Sequence, residues 1–180
     1  MDEDWKRNIS DGSKWWGKSE RDSKIDSLMY DLRDSLINMG GEVACMPQID
    51  GDIDKIMSRG QLWTGETLKM DEGESSQCHY NSCVLWDNNE EDNLFIATGY
   101  ALSEDGGMWR QHSWCVQKNS NGVQIIETTE PRVLYFGFVL NLAETKEFVL
   151  NNADLVVNLS KETLARYNEL EIPTLYGPKY

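Results

Sequence analysis

Four cysteines and two histidines carry most of the chemistry available to this chain of 180 residues. Cys78, His79 and Cys83 lie together in the stretch SSQCHYNSCVLW, and His112 and Cys115 lie in the later stretch WRQHSWCVQKNSNGVQIIETTEPR. Clustered cysteines and histidines are typical of a zinc site, whereas a cysteine that meets a histidine and an acid is typical of nucleophilic catalysis. The spacing of the residues distinguishes these two kinds of site.

A zinc site requires ligands that share one face of an element, and these residues do not. Cys78 and Cys83 are five positions apart, so on a helix they point about 140° away from each other. His112 and Cys115 are three positions apart and point to opposite faces of a strand. Close pairs such as C-x2-C do not occur in the chain. We therefore expect neither a metal nor another cofactor.

A nucleophilic thiol at Cys78 fits the local sequence better. Small polar residues precede Cys78, and HYNSCVLW continues as a predicted short helix, so the thiol falls in the first helical turn. Unpaired N–H groups and the helix dipole favour a thiolate at that position, and the same N–H groups could hold an oxyanion. Cys83, which is followed by Val84 and Leu85, is predicted to be core.

The base must be one of the two histidines. His79 adjoins Cys78, but neighbouring side chains on a helix diverge, so we expect His79 to be a poor partner for the thiol. His112 is predicted to begin a strand directly after the polar segment SEDGGMWRQ, where a sheet edge can present a side chain to a cleft. The pattern therefore favours His112 as the base.

The acid that would orient the imidazole follows the turn KNSNG. If this turn has an even number of loop residues, Glu127 lies on the same face as His112; an odd number brings Glu130 or Thr128 there instead. Hairpin loops of two or four residues are common, so we predict Glu127. The alternative for Glu127 is an ordinary strand residue that faces solvent.

Helices are predicted on both sides of a run of strands. Apolar residues recur at helical spacing after Lys24 until the glycines of MGGE, and DIDKIMSRG forms a short second helix that Gly60 ends. After the strands, AETKEFVLNN and SKETLARYNEL are again helical, with Ser160 as the N-cap of the latter. These four helices would join the short helix that carries Cys78.

Four strands are predicted between the helices, in NLFIATGYAL, HSWCVQ, GVQIIET and RVLYFGFVL. The short connector KNSNG makes at least one hairpin, so the sheet is predicted to be antiparallel. We expect an α+β fold with helices packed on a central antiparallel β-sheet. Residues 24–180 would form this single domain, and residues 1–23 a poorly ordered polar arm that contains Trp5, Trp15 and Trp16.

The composition narrows the function classes. The formal net charge of −14 disfavours binding to nucleic-acid phosphates. No apolar run is long enough to span a membrane, and the N-terminus has no apolar signal region, so we expect a cytoplasmic protein whose cysteines are free thiols. The charge also allows an acidic protein that binds the basic surface of a partner protein.

The order of these motifs resembles the transglutaminase-like branch of the papain-like cysteine enzymes. In that family a cysteine on a helix is followed by a strand ending in GY, a strand beginning HAW and a strand ending in DPT. The matching residues here cover roughly residues 75–130: Cys78 preceded by Gln77, then Gly99-Tyr100, His112-Ser113-Trp114 and Glu127-Thr128-Thr129. Glu127 stands where the family usually has Asp, and the aromatic residue that often follows the nucleophile is absent.

The resemblance implies a papain-like core in which Cys78 is the nucleophile, His112 the general base and acid, and Glu127 the orienting acid. It also makes two glutamines candidates for contacts with the oxyanion. Gln77 directly precedes the thiol, and Gln61 in RGQLWTG would match the upstream glutamine of papain-like enzymes, although local structure is its more ordinary role.

Tryptophans flank the predicted motifs, and large aromatic side chains mostly belong to the core. We expect this of Trp63, Trp86 and Trp114. Trp109 follows the pair Gly106-Gly107 and is the best candidate for a cleft wall or lid.

Two functions follow from these observations. The first is a thiol-dependent acyl-transfer enzyme (a peptidase, deamidase or transamidase) that acts on a protein or peptide through a thioester on Cys78. The alternative is a non-enzymatic acidic inhibitor or interaction protein that binds a basic partner.

Overall fold

The computed structural model describes residues 20–153 except residues 48–49, 90–92 and 121. The predicted arm up to residue 19 and the predicted helix at SKETLARYNEL lie outside the described residues. Four helices are described: α1 (Glu20–Met39), α2 (Ile53–Arg59), α3 (Cys78–Asp87) and α4 (Leu142–Ala153). The helix predicted from Lys24 is therefore confirmed, but it begins four residues earlier, at Glu20.

Seven strands are described: β1 (Val43–Cys45), β2 (Gln61–Thr64), β3 (Lys69–Met70), β4 (Leu94–Leu102), β5 (Met108–Asn119), β6 (Gly122–Glu127) and β7 (Leu134–Val139). The four predicted strands correspond to β4 through β7. The strand β5 begins at Met108 rather than at His112, so the histidine lies within the strand and not at its start. The short strands β1, β2 and β3 were not predicted.

The sheet has the strand order β2-β7-β4-β5-β6-β3, with β1 added beside β5. All neighbours from β2 to β6 along this order are antiparallel, but β3 pairs parallel to β6 and β1 pairs parallel to β5. The prediction of an α+β fold is confirmed, whereas the sheet is mixed rather than antiparallel throughout. The parallel pairs arise because β1 and β3 return to the sheet through connections that are not hairpins.

The sheet curls strongly, because its two ends are joined by a short link. One 3₁₀ turn (Gly65–Thr67) and Leu68 connect β2, at one end of the strand order, to β3, at the other end, and the turn contacts β6. On the concave face, the curl brings Trp63 of β2 against Trp114 of β5, with ring centroids 5.6 Å apart. This face therefore lines a buried interior on the inside of the curl.

Two apolar clusters lie on opposite faces of the sheet. The helix-side core contains Leu32 and Leu36 of α1, Cys83 of α3 and alternate strand residues such as Ile96 and Cys115. The interior core lies on the concave face and contains Trp63, Ala97, Ala101, Trp114, Val116, Ile125 and Tyr135. Within the described part of the chain, no helix has the length and apolar character needed to cross a bilayer.

Candidate active site

A gap in the hydrogen-bonded ladder of β5 marks the site. One edge of β5 pairs with β4 along residues 109–117, while the other edge pairs with β1 at residues 108–110 and with β6 at residues 115–119. Residues 111–114 lie between these two partners, and none of the described strands pairs with them on that edge. His112 is in this gap, and α3 packs against β5. The sheet is therefore open at the position of the histidine.

Cys78 is the first residue of α3 and therefore lies in the first helical turn, as the sequence predicted. Two residues earlier, Ser76 has a φ of 62°, which is uncommon for a residue with a Cβ and turns the chain into the helix. The N–H of Asn81 bonds to the carbonyl of Gln77, so the N–H groups of Cys78, His79 and Tyr80 precede the first intrahelical bond. These groups provide partial positive charge beside the thiol.

His112 and Glu127 face each other across the β5–β6 hairpin. Asn119 pairs with Gly122, so the turn has two loop residues and is even, as predicted. Both side chains then lie on the concave face, where His112 Nε2 and Glu127 Oε2 are 2.9 Å apart. His112 is 3% exposed and Glu127 is fully buried. Because Nε2 is bonded to the carboxylate, Nδ1 is the ring nitrogen left for the thiol.

The carboxylate of Glu127 is fully hydrogen-bonded. Its Oε1 accepts bonds from the N–H groups of Thr128 and Thr129 and from the Thr129 hydroxyl. Its Oε2 accepts a second bond from the Tyr135 hydroxyl, at 2.9 Å. Burial raises the pKa of Glu127, but the hydrogen bond and charge of His112, with the other donors, outweigh burial and lower it. Glu127 is therefore held as a carboxylate that cannot turn away from His112.

Cys78 and His112 shift each other's pKa in opposite directions. Burial raises the pKa of Cys78, but hydrogen bonds to His112 and to His79 more than offset this and lower the pKa to about 5. Burial likewise lowers the pKa of His112, whereas its bonds to Cys78 and Glu127 raise the pKa to about 9. These opposite shifts favour a thiolate beside an imidazolium near neutral pH, and the thiolate is the nucleophilic form of a cysteine.

His79 lies beside the thiol, and the prediction that it would diverge is wrong. Its Nδ1 lies 4.0 Å from Cys78 Sγ and 2.6 Å from the hydroxyl of Ser113 on β5. The Ser113 contact rotates the ring back toward the sheet, which helix geometry alone does not reveal. The polar residue Ser113, next to His112 but on the other face of β5, was the signal that could have indicated this arrangement.

Asn81 joins the segment before the thiol to the segment after the acid. Its side chain bonds to both the N–H and the carbonyl of Glu74, and its amide nitrogen lies 3.4 Å from the carbonyl of Thr128. Gly73, whose N–H also bonds to Thr128, leaves the space that this side chain occupies. Asn81 therefore fixes the start of α3 relative to the end of β6.

The remaining predicted site residues are placed differently. Trp109 is fully buried in the helix-side core, and its indole N–H bonds to the carbonyl of Gly40, so it is not a cleft wall or lid. Glu130 forms an ion pair with Arg132 at 2.6 Å and its side chain is 64% exposed, so it is not the acid that faces His112. The other three tryptophans, Trp63, Trp86 and Trp114, are buried as predicted.

The two glutamines differ in their distance from the thiol. Gln77 is exposed in the cap position directly before Cys78, and its side chain makes no capping hydrogen bond. Gln61 is linked to His112 across the sheet through two paired residues, Gly137 and Gly99. Gln61 is therefore three strands from His112, or about 14 Å along the sheet. No described contact links Gln61 to Cys78.

The other cysteines differ from Cys78 in chemistry. Cys83 and Cys115 are buried, and burial raises the pKa of both thiols, to about 12 for Cys83. Cys45 is an exposed free thiol. Among the described residues, no group of three or more histidine, cysteine or acidic side chains is arranged to hold a metal ion.

Comparison with known proteins adds no relative to this description: no protein family, no curated protein and no solved structure matches the chain.

Proposed function

We propose that the protein is a thiol-dependent acyl-transfer enzyme in which Cys78 is the nucleophile, His112 the base and acid, and Glu127 the residue that orients His112. The observation that carries the proposal is the convergence of the three side chains, with the thiol facing an imidazole whose other nitrogen is bonded to a buried carboxylate. If His112 and Glu127 had only a structural role, a thiol at a helix N-terminus beside them would not be required.

The first half of the reaction forms a thioester. The thiolate of Cys78 attacks a carbonyl carbon, and the carbonyl oxygen becomes an oxyanion that the N–H groups at the start of α3 can stabilise. The tetrahedral intermediate collapses with cleavage of the carbon–nitrogen bond of an amide. The imidazolium of His112 gives its Nδ1 proton to the leaving nitrogen, which departs as the amine.

The second half regenerates the thiolate. Neutral His112 removes a proton from an incoming water or amine, which attacks the thioester carbonyl and expels Cys78 as a thiolate. Glu127 stabilises the imidazolium that is present before the first half and forms again in the second half, and it fixes Nδ1 toward the thiol. Water gives a hydrolase, and an amine gives a transferase. The substrate would be a protein or peptide that presents an amide carbonyl at the exposed start of α3, where Gln77 remains a candidate oxyanion donor.

The proposal is tested by the pH dependence of alkylation with iodoacetamide, with the modified cysteine identified by mass spectrometry. Cys45 serves as an internal reference because it is exposed and lies in the same molecule. We expect Cys78 to be alkylated faster than Cys45 at pH 6 in the native protein. In His112→Ala the rate at Cys78 should fall at least about tenfold at this pH, since the thiolate loses its main partner.

A catalytic thiol also forms an acyl-enzyme. Incubation with an activated peptidyl ester should give a burst of released alcohol equal to the enzyme concentration and a mass increase on Cys78. Cys78→Ala is the control and should show neither. Alkylation of Cys78 no faster than that of Cys45 would overturn the proposal, and a pull-down with basic proteins at rising salt would then test the interaction alternative.

A further inference from the structure

A second histidine beside the thiol has no role in the reaction described above. His79 is held from three directions: by the Ser113 hydroxyl at 2.6 Å, by Cys78 Sγ at 4.0 Å, and by the ring of Phe148, which meets it edge-on with centroids 5.6 Å apart. Phe148 belongs to α4, so three separate elements fix one imidazole. A side chain fixed in this way has a defined orientation of its ring nitrogens.

A chain of hydroxyl groups determines which nitrogen carries the proton. Thr98 donates to the carbonyl oxygen of His112 at 3.5 Å, since a carbonyl can only accept, and Ser113 donates to Thr98 at 3.0 Å. Each hydroxyl has one proton, so Ser113 has none left for His79. In this arrangement Ser113 accepts at the 2.6 Å contact with His79, and the histidine donates from Nδ1.

We propose that His79 carries a proton on Nδ1, donates it to Ser113 and thereby holds this N–H 4.0 Å from Cys78 Sγ, so that His79 is a positioning residue that stabilises the thiolate together with His112. The thiolate then lies near two ring N–H groups, one from β5 and one from its own helix. The proton of His79 stays on its nitrogen throughout, because the acceptor chain through Ser113 and Thr98 ends on a carbonyl. This inference rests on the proposed function for its purpose, but it is tested on the histidine itself.

Two substitutions separate the role of the His79 N–H donor from the packing of the His79 ring against Phe148. His79→Asn places an amide N–H near the position of Nδ1 but loses the ring, whereas His79→Phe keeps a ring against Phe148 but loses the donor. We expect the rate of Cys78 alkylation at pH 5 to fall about fivefold in His79→Phe, as for a rise of about one unit in the pKa of the thiol, and to stay within about twofold in His79→Asn. A purely structural role for the ring predicts the reverse order and would overturn the inference.

The tautomer is read directly by long-range ¹H–¹⁵N correlation spectra of the histidine rings. The chain has two histidines, so spectra of His112→Ala assign the signals of His79. We expect the Nδ1–H pattern, with a shift toward Nε2–H in Ser113→Ala. An Nε2–H pattern in the native protein would overturn this inference alone, whereas slow alkylation of Cys78 with an Nδ1–H pattern would overturn the proposed function alone.

Discussion

Tyr135 and His112 bond to the same carboxylate oxygen, Glu127 Oε2, each at 2.9 Å. The tyrosine hydroxyl is buried and approaches from β7, while the imidazole approaches from β5. The two rings lie 6.2 Å apart, and Trp114 packs against both. The orientation of the predicted base therefore depends on a residue two strands away from it.

Removal of the tyrosine hydroxyl should weaken both stability and the charged pair. Tyr135→Phe deletes one donor to a buried carboxylate, so we expect the free energy of unfolding in urea to fall by about 2 kcal/mol. Tyr80→Phe is the control, because Tyr80 is 40% exposed and its loss should change stability by less than about 0.5 kcal/mol. Equal stability of Tyr135→Phe and the native protein would show that the hydroxyl contributes nothing to the free energy of unfolding.

Neutralisation of Glu127 should lower the reactivity of Cys78, although the two side chains have no described contact. Glu127→Gln removes the charge that raises the pKa of His112, so the imidazolium is less favoured and the thiolate loses its counterion. We expect the alkylation rate of Cys78 at pH 6 to fall about tenfold. Glu130→Gln is the matched control, since Glu130 pairs with Arg132 and should leave the rate unchanged. A decrease of similar size in both variants would indicate a general surface-charge effect instead.

The close approach of β4 and β7 should tolerate no added methyl group. A Cβ on Gly137 would meet the carbonyl of Thr98 and lie 2.9 Å from the Trp114 ring. Gly137→Ala should therefore lower the free energy of unfolding by about 1–3 kcal/mol. Gly51→Ala is the control, because a Cβ there meets nothing within 4 Å. Thermal unfolding of the two variants measures the difference, and similar midpoints would contradict the tight packing at Gly137.

The charged pair should give stability a distinct pH profile. The pKa of Cys78 is lower in the folded chain than its ordinary value of 9.0. Its contribution to the free energy of unfolding is therefore complete above pH 9.0 and is lost as the pH falls through about 5. The pKa of His112 is higher, so its contribution is complete below 6.5 and is lost as the pH rises through about 9. Between pH 6.5 and pH 9 the changes in the two contributions cancel. Below pH 6.5 only the contribution of the Cys78 thiol changes.

The substitution Cys78→Ser isolates the contribution of the thiol to stability. The difference in the free energy of unfolding between native protein and variant should shrink by about 1–2 kcal/mol as the pH falls from 6.5 to 5. Urea denaturation at closely spaced pH values measures it, with Cys45→Ser as the control, because Cys45 is exposed and lies outside the pair. A difference that stays constant over this range would mean that Cys78 is not a thiolate in the folded protein.

The parts of the site that the sequence predicts are those with local signals. Polar residues before an apolar helical run predicted that α3 begins at Cys78, and the short connector KNSNG predicted an even turn that places Glu127 beside His112. Both signals operate within a few residues. The long strands β4 through β7 were predicted for the same reason, since each has enough β-branched and aromatic residues to stand out.

The missed features depend on contacts between distant segments. The strands β1, β2 and β3 have only three, four and two residues, so their pairing partners rather than their composition define them. Trp109 lies near two glycines, which suggested a cleft wall or lid, yet β5 already begins at Met108 and the carbonyl of Gly40 accepts the indole N–H. The orientation of His79 likewise depends on Ser113, which belongs to another element.

The short strand β3 has a consequence for folding kinetics. Lys69 and Met70 pair with the end of β6, and Asp71 and Gly73 continue these bonds directly into the segment before Cys78. Contacts between segments so distant in the chain close late, because the entropy of the intervening loop must be lost first. Pulsed alkylation during refolding should therefore show slow labelling of Cys78 at early times and fast labelling only after β3 has paired with β6, so that the reactivity of this thiol reports a late step of folding.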